Sequence, residues 1–397
     1  MPDLHPLKIA LLTHSVNPRG GVVHTLELGR ALHKQGHQVT IFAPAARGQS
    51  FFRVTPCNVS FAPVTHTPKN VADMVSSRID AYVTHLRNIL THESFDIFHA
   101  QDSISGNAMA DLCGKGVMKH FVRTVHHLDQ FDNPQLMAWQ ERAFRCATEV
   151  LCVSELWKQQ LAWEQRIVAH RVFNGVDTER FSCGPVTEKT ATTAPTFLAV
   201  GGVEERKNTL RILEAFTLVR ERLPNARLVI AGGASLLDHN AYAARFRDTL
   251  KKHGLTTGID APVQLTGAVA DDAMPHLFRN ATALVTPSLK EGFGLVVLEA
   301  LACGTPVVAS NIAPFTEYLG DELCHWADPE QASSIAAAML RAASGVCGAT
   351  LRTLADPLLT RMSWATSAEQ HVNIYQTLLQ QHETSEAYEA HEGLAHA

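Results

Sequence analysis

The chain has 397 residues, which is enough for two or three domains of about 150 residues each. Its composition, 46% apolar and 18% charged with a formal charge of −5, is that of a globular protein and gives no basic field that would attract nucleic acid. No apolar stretch reaches the roughly 20 residues of a membrane-spanning helix, the N-terminus lacks the pattern of a signal peptide, and the eight cysteines form no C-x-x-C pair, so we expect a reduced, cytoplasmic protein.

A βαβ unit opens the chain. Leu7–Thr13 is predicted as a strand, Val22–Gln35 as a helix and Gln38–Ala43 as the next strand. Gly20 and Gly21, just before the helix, can present backbone N–H groups to an anion, although a plain tight turn explains the pair equally well. The loop is not G-x-G-x-x-G and the second strand has no terminal acid, which counts against a dinucleotide site.

The next strand of interest ends at two histidines. Residues 51–66 suggest short strands and 69–92 a helix, and Phe95–His99 and Phe121–Val125 are then predicted as strands. His126 follows the second of these, at the end where α/β proteins bind ligands. A hydrogen-bonded edge histidine is an equally good interpretation. The 21 histidines are otherwise dispersed, and we expect most of them on the surface.

A metal site is a third interpretation of this region. Its ligands would be drawn from His99, Asp102, His126 and His127. Their spacing matches no zinc pattern, so we expect no metal here.

The first half ends in a turn and a linker. Glu149–Val153 is predicted as a strand, and Asn174-Gly175-Val176-Asp177 is a turn signal. From Ser182 to Pro195 the composition becomes small, polar and aperiodic, which is typical of a linker. We therefore predict a first domain over residues 1–182, a linker over 183–195 and a second domain over 196–362.

The second half repeats the β/α alternation. Phe197–Gly201 is predicted as a strand and 209–222 as a helix, with Arg206 and Lys207 just before the helix begins. Two cations beside a helix N-terminus are unfavourable unless an anion joins them, and a diphosphate would do so. The alternative is a solvated charge cluster in which the two cations pair with the neighbouring Glu204 and Glu205.

Further strands and helices complete this half. We predict strands at 227–231, 263–267 and 307–310, and helices at 240–253, 271–279, 329–343 and 350–361. Gly232, Gly233 and Gly267 lie where strands end. A last amphipathic helix begins at Trp364, and residues 382–397, with few apolar anchors, are predicted as a disordered tail.

Two carboxylates flank the most informative stretch. Ala281–Pro287 is predicted as a buried strand, and Glu291 follows in a loop beside Gly292, Phe293 and Gly294. Glu299 falls in the helix behind, where residues 295–302 are otherwise apolar, so we expect that helix to be buried on every side. A buried carboxylate needs donors, either the hydroxyls of a sugar or ribose or an Arg or Lys of the core.

Glu291, the Gly-Phe-Gly loop and Glu299 resemble the E-x7-E signature of the retaining glycosyltransferases of family 4, and Asn174–Asp177 with Phe181 resembles the turn that ends that family's first domain. The resemblance implies the GT-B architecture: an α/β fold of two facing Rossmann-like domains with doubly wound parallel sheets. It places the acceptor on the first domain and the nucleotide-sugar donor on the second. It also implies that the final helix, 363–381, crosses back to the first domain.

The resemblance also implies roles for individual residues. It assigns ribose hydroxyls to Glu299, hydroxyls of the transferred sugar to Glu291 and His126, and the donor diphosphate to Lys207. Gly202 stands where the family usually has Arg, so we expect Arg206 to supply that charge. The remaining predicted contacts to the donor are backbone groups near Gly20, Gly21, Gly202, Gly232, Gly292, Phe293, Gly294 and Leu295.

The expected activity is transfer of a hexose-type sugar, with retention, from a UDP- or GDP-sugar to a hydroxyl acceptor. The resemblance implies no cofactor and no metal for catalysis. The alternatives are a nucleotide-sugar epimerase or phosphorylase on the same fold, or a sugar-nucleotide-binding protein without turnover, which the substituted Gly202 leaves open. We expect a small-molecule or glycan acceptor and no nucleic acid, while peripheral membrane contact and oligomeric state stay open.

Overall fold

The computed structural model describes residues 5–66, 68–184, 194–233 and 240–395, and in the last helix it leaves aside the side chains of 383 and 385–395. The chain forms two compact units. Unit 1 runs to Asn174 and resumes at Trp364, and unit 2 runs from Gly175 to Ser363. Most of the predicted linker, residues 185–193, lies outside the described residues.

Unit 1 alternates strands and helices along the chain. Its strands within the described residues are β1 (Lys8–Leu12), β2 (Gln38–Ala45), β3 (Asn58–Pro63), β4 (Ile97–Ala100), β5 (Val122–Val125), β6 (Glu149–Cys152) and β7 (His170–Arg171). The helices between them are α1 (Gly20–Lys34), α2 (Val71–Ile89), α3 (Ser103–Gly114), α4 (Pro134–Arg145) and α5 (Glu155–Gln165). Helices α2 to α5 each begin at a side chain that accepts a hydrogen bond from the first turn, namely Asn70, Asp102, Asn133 and Ser154.

The strands of unit 1 form one parallel sheet in the order β3-β2-β1-β4-β5-β6-β7. The order reverses between β1 and β4. The loops that follow these two strands therefore leave the sheet in opposite directions and open a crevice between them, which is where ligands bind in such sheets.

Unit 2 repeats the alternation. Its strands within the described residues are β8 (Thr196–Val200), β9 (Arg227–Ala231), β10 (Val263–Gly267), β11 (Ala283–Thr286), β12 (Val307–Ser310) and β13 (Cys324–Ala327). Its helices there are α6 (Thr209–Arg222), α7 (Asn240–Lys252), α8 (Met274–Asn280), α9 (Leu295–Ala302), α10 (Ala332–Ala343) and α11 (Gly348–Arg361).

The unit 2 sheet is also parallel, in the order β10-β9-β8-β11-β12-β13, and its order reverses between β8 and β11. Strands β11 and β12 are buried along their whole length because helices cover both faces. The predicted α/β class with two doubly wound parallel sheets is confirmed.

The final helix, α12 (Trp364–Ala395), packs against α1 of unit 1. The residues that it buries there follow the predicted apolar periodicity: Trp364, Ala368, Val372, Tyr375 and Leu378. The helix continues to Ala395 and so differs from the disordered tail expected over 382–397.

Two local features differ from the sequence-based expectation. Strand β13, at the edge of the unit 2 sheet, was not predicted, because four residues with half-exposed His325 and Trp326 at the centre carry no clear periodicity. Asp271–Ala273 is a 3₁₀ turn that precedes α8. In the described part of the chain, no single helix has the length and apolar character to cross a membrane, and only α10 and α11 taken together meet that test, across a 112° bend.

Candidate active site

The reversal of strand order in unit 2 brings two loops together, the one after β8 and the one after β11. The Leu289 N–H donates to the Arg206 carbonyl (3.0 Å), and the Arg206 guanidinium donates to the Lys290 carbonyl (3.3 Å). The Asn208 amide donates to the Pro287 carbonyl at 3.0 Å. These bonds join the start of α6 to the loop that carries Glu291.

Glu291 is the electrostatic centre of this junction and is 8% exposed. Its Oε2 accepts from Lys207 Nζ at 2.5 Å, and its Oε1 accepts from Arg206 at 3.1 Å and from the Gly292 N–H at 3.1 Å. Burial by itself would raise the pKa of Glu291, but the Lys207 and Arg206 charges and these hydrogen bonds lower it to about 2. The carboxylate is therefore ionised and fixed in place at neutral pH.

Arg206 and Lys207 lie in the same cluster, as the sequence suggested. Arg206 also pairs with Glu204 at 3.0 Å, so part of the alternative charge cluster is present as well. Burial lowers the pKa of Arg206, but Glu291 and Glu204 outweigh it and raise the pKa above its ordinary value. Lys207 uses one of its three N–H donors on Glu291, which leaves donors for a further anion.

Gly202 and Gly232 bring two loops of this site into backbone contact. Gly202 has φ +77°, and a Cβ there would lie 3.0 Å from the Gly233 carbonyl oxygen. A Cβ on Gly232 would lie 2.5 Å from the Gly202 nitrogen. A side chain at position 202 would therefore combine a strained positive φ with a tight contact to the Gly233 carbonyl. Glycine at this position, where the family usually has arginine, suits the local path of the chain.

The loop before α9 is held by aromatic packing. The Phe293 ring stacks on Tyr318 at 5.2 Å between ring centres, and the Tyr318 hydroxyl donates to the Phe293 carbonyl at 2.8 Å. Gly294 has φ +94°, and a Cβ there would lie 2.5 Å from the Phe315 ring. Gly292, Phe293 and Gly294 thus place the first N–H groups of α9, beginning at Leu295, next to Glu291.

The burial expected for α9 is wrong on one side. Leu295, Val296 and Glu299 are half-buried, while the rest of the helix is buried. These three positions, i, i+1 and i+4, share one stripe of the helix, so the Glu299 carboxylate lies on a partly open face rather than inside the core. Apolar residues alone could not reveal this, because a helix with one partly exposed stripe can have the same composition as a core helix.

In unit 1, the predicted residues Gly21 and His126 come together. A Cβ on Gly21 would lie 3.7 Å from the His126 ring, and Gly20 is the exposed first residue of α1. His126 Nε2 is buried without a hydrogen-bond partner among the described residues. Burial, with smaller contributions from His24 and Arg123, lowers the pKa of His126 well below its ordinary value, so its ring is neutral at pH 7.

The residues of the metal interpretation do not converge. His99 uses both ring nitrogens, toward the Tyr375 hydroxyl at 2.6 Å and the Thr124 hydroxyl at 2.7 Å, and His127 lies 3.1 Å from Asp129. In the part of the chain that the structure describes, no group of three or more His, Cys, Asp or Glu side chains could hold a metal ion.

Sequence reasoning missed a cluster of buried imidazoles and one buried cation in unit 1. His24, His99 and His371 are buried, with ring centres 6.0 Å apart for the pair His24 and His371 and 5.6 Å for His99 and His371. Arg123 is only 6% exposed. The histidines come from β4, α1 and α12, and no local pattern could have shown that they meet. Arg123 is the one charged residue of a buried strand, and that contrast was the one available signal.

Comparison with known proteins identifies both halves of the chain. The family model described as Glycosyltransferase Family 4 matches residues 18–180, and the model described as Glycosyl transferases group 1 matches residues 186–345. An uncharacterized glycosyltransferase of Methanocaldococcus jannaschii is 24% identical, covering 94% of this chain and 99% of its own length. The phosphatidyl-myo-inositol mannosyltransferase of Mycobacterium tuberculosis is 24% identical over 92% of this chain and 95% of its own.

The solved structures agree with this assignment at the level of the fold. A sucrose-phosphate synthase from Thermosynechococcus elongatus superposes with a TM-score of 0.76 at 21% identity, over 94% of this chain and 99% of that one. With both sheets, both family models and relatives that span nearly the whole chain in agreement, the protein belongs to glycosyltransferase family 4 and is a glycosyltransferase of the GT-B fold.

Proposed function

We propose that the protein transfers a hexose-type sugar from a nucleoside diphosphate sugar to a hydroxyl of an acceptor, with retention of the anomeric configuration. The observation that carries the proposal is the junction of Glu291 with Arg206 and Lys207 where the unit 2 strand order reverses. A fixed carboxylate and two cations at this point of a doubly wound sheet suit a substrate that carries both hydroxyls and phosphates.

The diphosphate of the donor would lie at the start of α6 and α9. Both helices begin at this junction, and the unpaired N–H groups of a helix N-terminus favour an anion. Lys207 and Arg206 add positive charge that Glu291 holds in position, so little reorganisation is needed when negative charge develops on the leaving group. Departure of the nucleoside diphosphate is the step that this arrangement would favour.

The hydroxyls of the donor would meet the carboxylates. Glu299, on the half-buried stripe of α9, is the proposed partner of the ribose diol, and Glu291 of hydroxyls on the transferred sugar. The neutral His126 ring suits a hydrogen bond to a sugar hydroxyl, because its Nε2 has no partner among the described residues. Retention is proposed from the resemblance, whose front-face mechanism requires no protein nucleophile.

The test combines a donor panel with two variants. UDP- and GDP-sugars are screened by thermal shift for binding, and release of the nucleoside diphosphate is measured with a set of hydroxyl acceptors. We expect one donor to raise the melting temperature, and Glu299→Ala and Lys207→Ala to abolish that rise while Glu330→Ala, a change at an exposed position of unit 2, preserves it. If no nucleotide sugar binds, or if both variants bind it as the parent does, the proposal is wrong.

The stereochemistry needs its own measurement. The product is analysed by NMR for the anomeric configuration at the newly formed bond. A product with the donor's configuration supports retention, and an inverted product rejects that part of the proposal.

A further inference from the structure

Unit 1 has its own set of buried polar groups where its strand order reverses. We call it the Arg123 cluster, and it consists of Thr13, Arg78, Gln101, Asp102 and Arg123. Thr13 follows β1 and Gln101 follows β4, and these are the two strands between which the order reverses. Arg123 on β5 lies beside Ala100 on β4 in the sheet register.

Arg123 is the central member of the cluster. Its guanidinium is buried, and its Nε and one terminal nitrogen have no hydrogen-bond partner among the described residues. Burial lowers the pKa of Arg123 to about 10, while the nearby Asp102 charge acts in the opposite direction. Asp102 gives Arg123 no hydrogen bond, because its Oδ1 accepts from the Ser105 N–H at 2.9 Å and its buried Oδ2 has no hydrogen-bond partner in the described chain.

Three other residues of the Arg123 cluster also have buried polar atoms without a hydrogen-bond partner in the described chain. Gln101 is 2% exposed, and both polar atoms of its amide lack partners within the described ranges. The Thr13 hydroxyl is fully buried and equally unmatched there. Arg78 donates to the His14 carbonyl at 3.1 Å, but its Nε has no partner in the same part of the chain. A buried polar group without a partner destabilises the fold, so several of them at the reversal of strand order point to a ligand.

The kinds of groups present define the ligand. Two guanidinium groups and one carboxylate give one positive charge in excess, and the planar N–H fork of arginine matches an oxyanion. The amide of Gln101, the hydroxyl of Thr13 and the Asp102 Oδ2, which lies 3.9 Å from His14 Nδ1 and accepts no hydrogen bond from the described chain, match hydroxyl groups. A neutral polyol would leave the Arg123 donors unmet, and a simple anion would leave Asp102 and Gln101 unmet.

We propose that the Arg123 cluster binds the acceptor, that the acceptor is a polyol bearing one oxyanion group, and that Arg123 is the residue that selects it. The proposal rests on the proposed function in calling the ligand an acceptor. Its claim about the chemistry of the ligand rests on unit 1 alone. A phosphate and a carboxylate would both supply the oxyanion, and the experiment distinguishes them.

The experiment measures binding to the whole protein without donor. Hexose phosphates and inositol phosphates, the corresponding hexuronates and the uncharged parent polyols are titrated by calorimetry at one ionic strength. We expect at least one charged probe to bind ten times more tightly than its uncharged parent, with the phosphates or the uronates identifying the oxyanion. Equal affinity of charged and uncharged probes throughout the panel, or no binding by any of them, overturns the proposal.

Two substitutions test whether Arg123 causes the preference. Arg123→Gln is expected to remove it, with at least a tenfold loss for the charged probe and less than twofold for its parent. Gln101→Glu adds a negative charge at the end of β4, the strand next to Arg123, so we expect loss of the charged probe while its uncharged parent binds as before. Arg142→Gln is the matched control, because Arg142 is a half-exposed arginine of unit 1 whose guanidinium already pairs with Asp111 at 2.6 Å. If Arg123→Gln does not fold, the Gln101→Glu result decides, and unchanged charge preference there rejects the proposal.

The variants also separate this inference from the proposed function. Lys207→Ala, in unit 2, is expected to lose nucleotide-sugar binding and to keep the charged probe, and Arg123→Gln is expected to do the reverse. Charged-probe binding in a protein that accepts no nucleotide sugar would contradict only the proposed function. Nucleotide-sugar turnover on uncharged acceptors alone would contradict only the inference about Arg123.

Discussion

The two units have parallel sheets of the same doubly wound type, but they carry different side chains at the reversal of strand order. In unit 2, the carboxylate at the reversal of strand order is held by Lys207, Arg206 and the Gly292 N–H, so its charges are matched before any ligand arrives. In unit 1, the equivalent place contains Arg123, Gln101 and Thr13 with polar atoms that no described residue satisfies. One fold thus supports a site that is complete in itself and a site that a ligand has to complete.

The difference suggests a division of labour. A network whose charged groups already pair with one another keeps its geometry when negative charge develops on the leaving group. Such a network suits the place where the donor is cleaved. A set of unmet donors and acceptors gains most from the one ligand that fits all of them and penalises those that leave groups unpaired, which suits selection. Four predictions, ordered by expected effect, would break or sharpen this contrast.

The largest effect is expected for Lys207→Ala in the matched site. It removes a positioned cation from the proposed leaving group, and such losses lower kcat by about 100- to 1,000-fold. The free energy of unfolding should fall by less, about 1–3 kcal/mol, because Arg206 and the Gly292 N–H still hold Glu291. Nucleoside diphosphate release gives the first number and urea denaturation gives the second.

Lys252→Ala is the control for this prediction, because Lys252 is an exposed lysine of unit 2 in the last turn of α7. If Lys207→Ala keeps the parent's turnover, then Lys207 has no part in the reaction and the matched network is purely structural.

The next effect is expected for Glu299→Ala. A hydrogen bond to a charged group contributes about 1.5–3 kcal/mol, so donor affinity should fall by about 10- to 150-fold. Stability should change little, because Glu299 lies on the half-buried stripe of α9. Calorimetric titration of the donor measures the loss, and Glu299→Gln should recover part of it. Unchanged donor affinity in a folded Glu299→Ala protein would show that Glu299 does not bind the donor.

The two units should also respond differently to acid. Burial lowers the pKa of His24 from 6.5 to about 3 and that of His371 from 6.5 to about 4. As the pH falls, these two histidines therefore become protonated in the unfolded chain before they do in the folded chain. Their stabilising effect is complete above pH 6.5 and is lost as the pH falls from there, by about 1.4 kcal/mol per histidine and pH unit. The pKa of Glu291 falls from 4.5 to about 2, so its contribution in unit 2 is lost only below pH 4.5.

Tryptophan fluorescence can follow unit 1 by itself. The chain has five tryptophans, and only Trp326 belongs to unit 2, so a Trp326→Phe background reports on unit 1. In that background, His371→Leu should reduce the dependence of unfolding on pH between 6.5 and 4, whereas the same change at His92, an exposed histidine of unit 1, should not. An unaltered slope in His371→Leu would show that the buried imidazoles do not control the acid response.

The smallest effect concerns the backbone that shapes the matched site. Gly202 and Gly254 both have positive φ, +77° and +61°, but a Cβ at Gly254 meets nothing within 4 Å. Gly254→Ala should therefore lower the free energy of unfolding by about 1–2 kcal/mol through backbone strain alone. Gly202→Ala should lower it further, because the Cβ also approaches the Gly233 oxygen at 3.0 Å. Equal losses in urea denaturation would mean that the loop moves aside freely.

Much of the fold follows from sequence patterns. The strands at 227–231, 263–267 and 307–310 and the helix at 209–222 were predicted with the bounds that the structure has, because apolar runs and turn residues delimit them clearly. Of the site, the meeting of Arg206, Lys207 and Glu291 could be anticipated from charge beside a helix N-terminus and from the family motif.

The remainder depends on packing between distant segments. The helix that carries Glu299 has the composition of a core helix, and only its tertiary packing leaves the stripe with Glu299 half-exposed. Arg123 became a candidate for ligand binding only once the sheet order was known. Strands β1, β4 and β5 are adjacent in the sheet, and Thr13 and Gln101 follow the ends of β1 and β4. The imidazole of His371 reaches His99 across a sequence separation that no window of residues spans.

The return of the chain at Trp364 also sets an order of events during synthesis. Helix α12 closes over α1, with Trp364 against the His24 ring at 5.4 Å and the Tyr375 hydroxyl on His99. About 190 residues of unit 2 separate this helix from the rest of unit 1, so at ~5–20 residues per second roughly 10–40 seconds pass on the ribosome before it emerges. Throughout that interval the nascent first unit carries an uncovered apolar face, and the second unit is the first of the two that can finish folding.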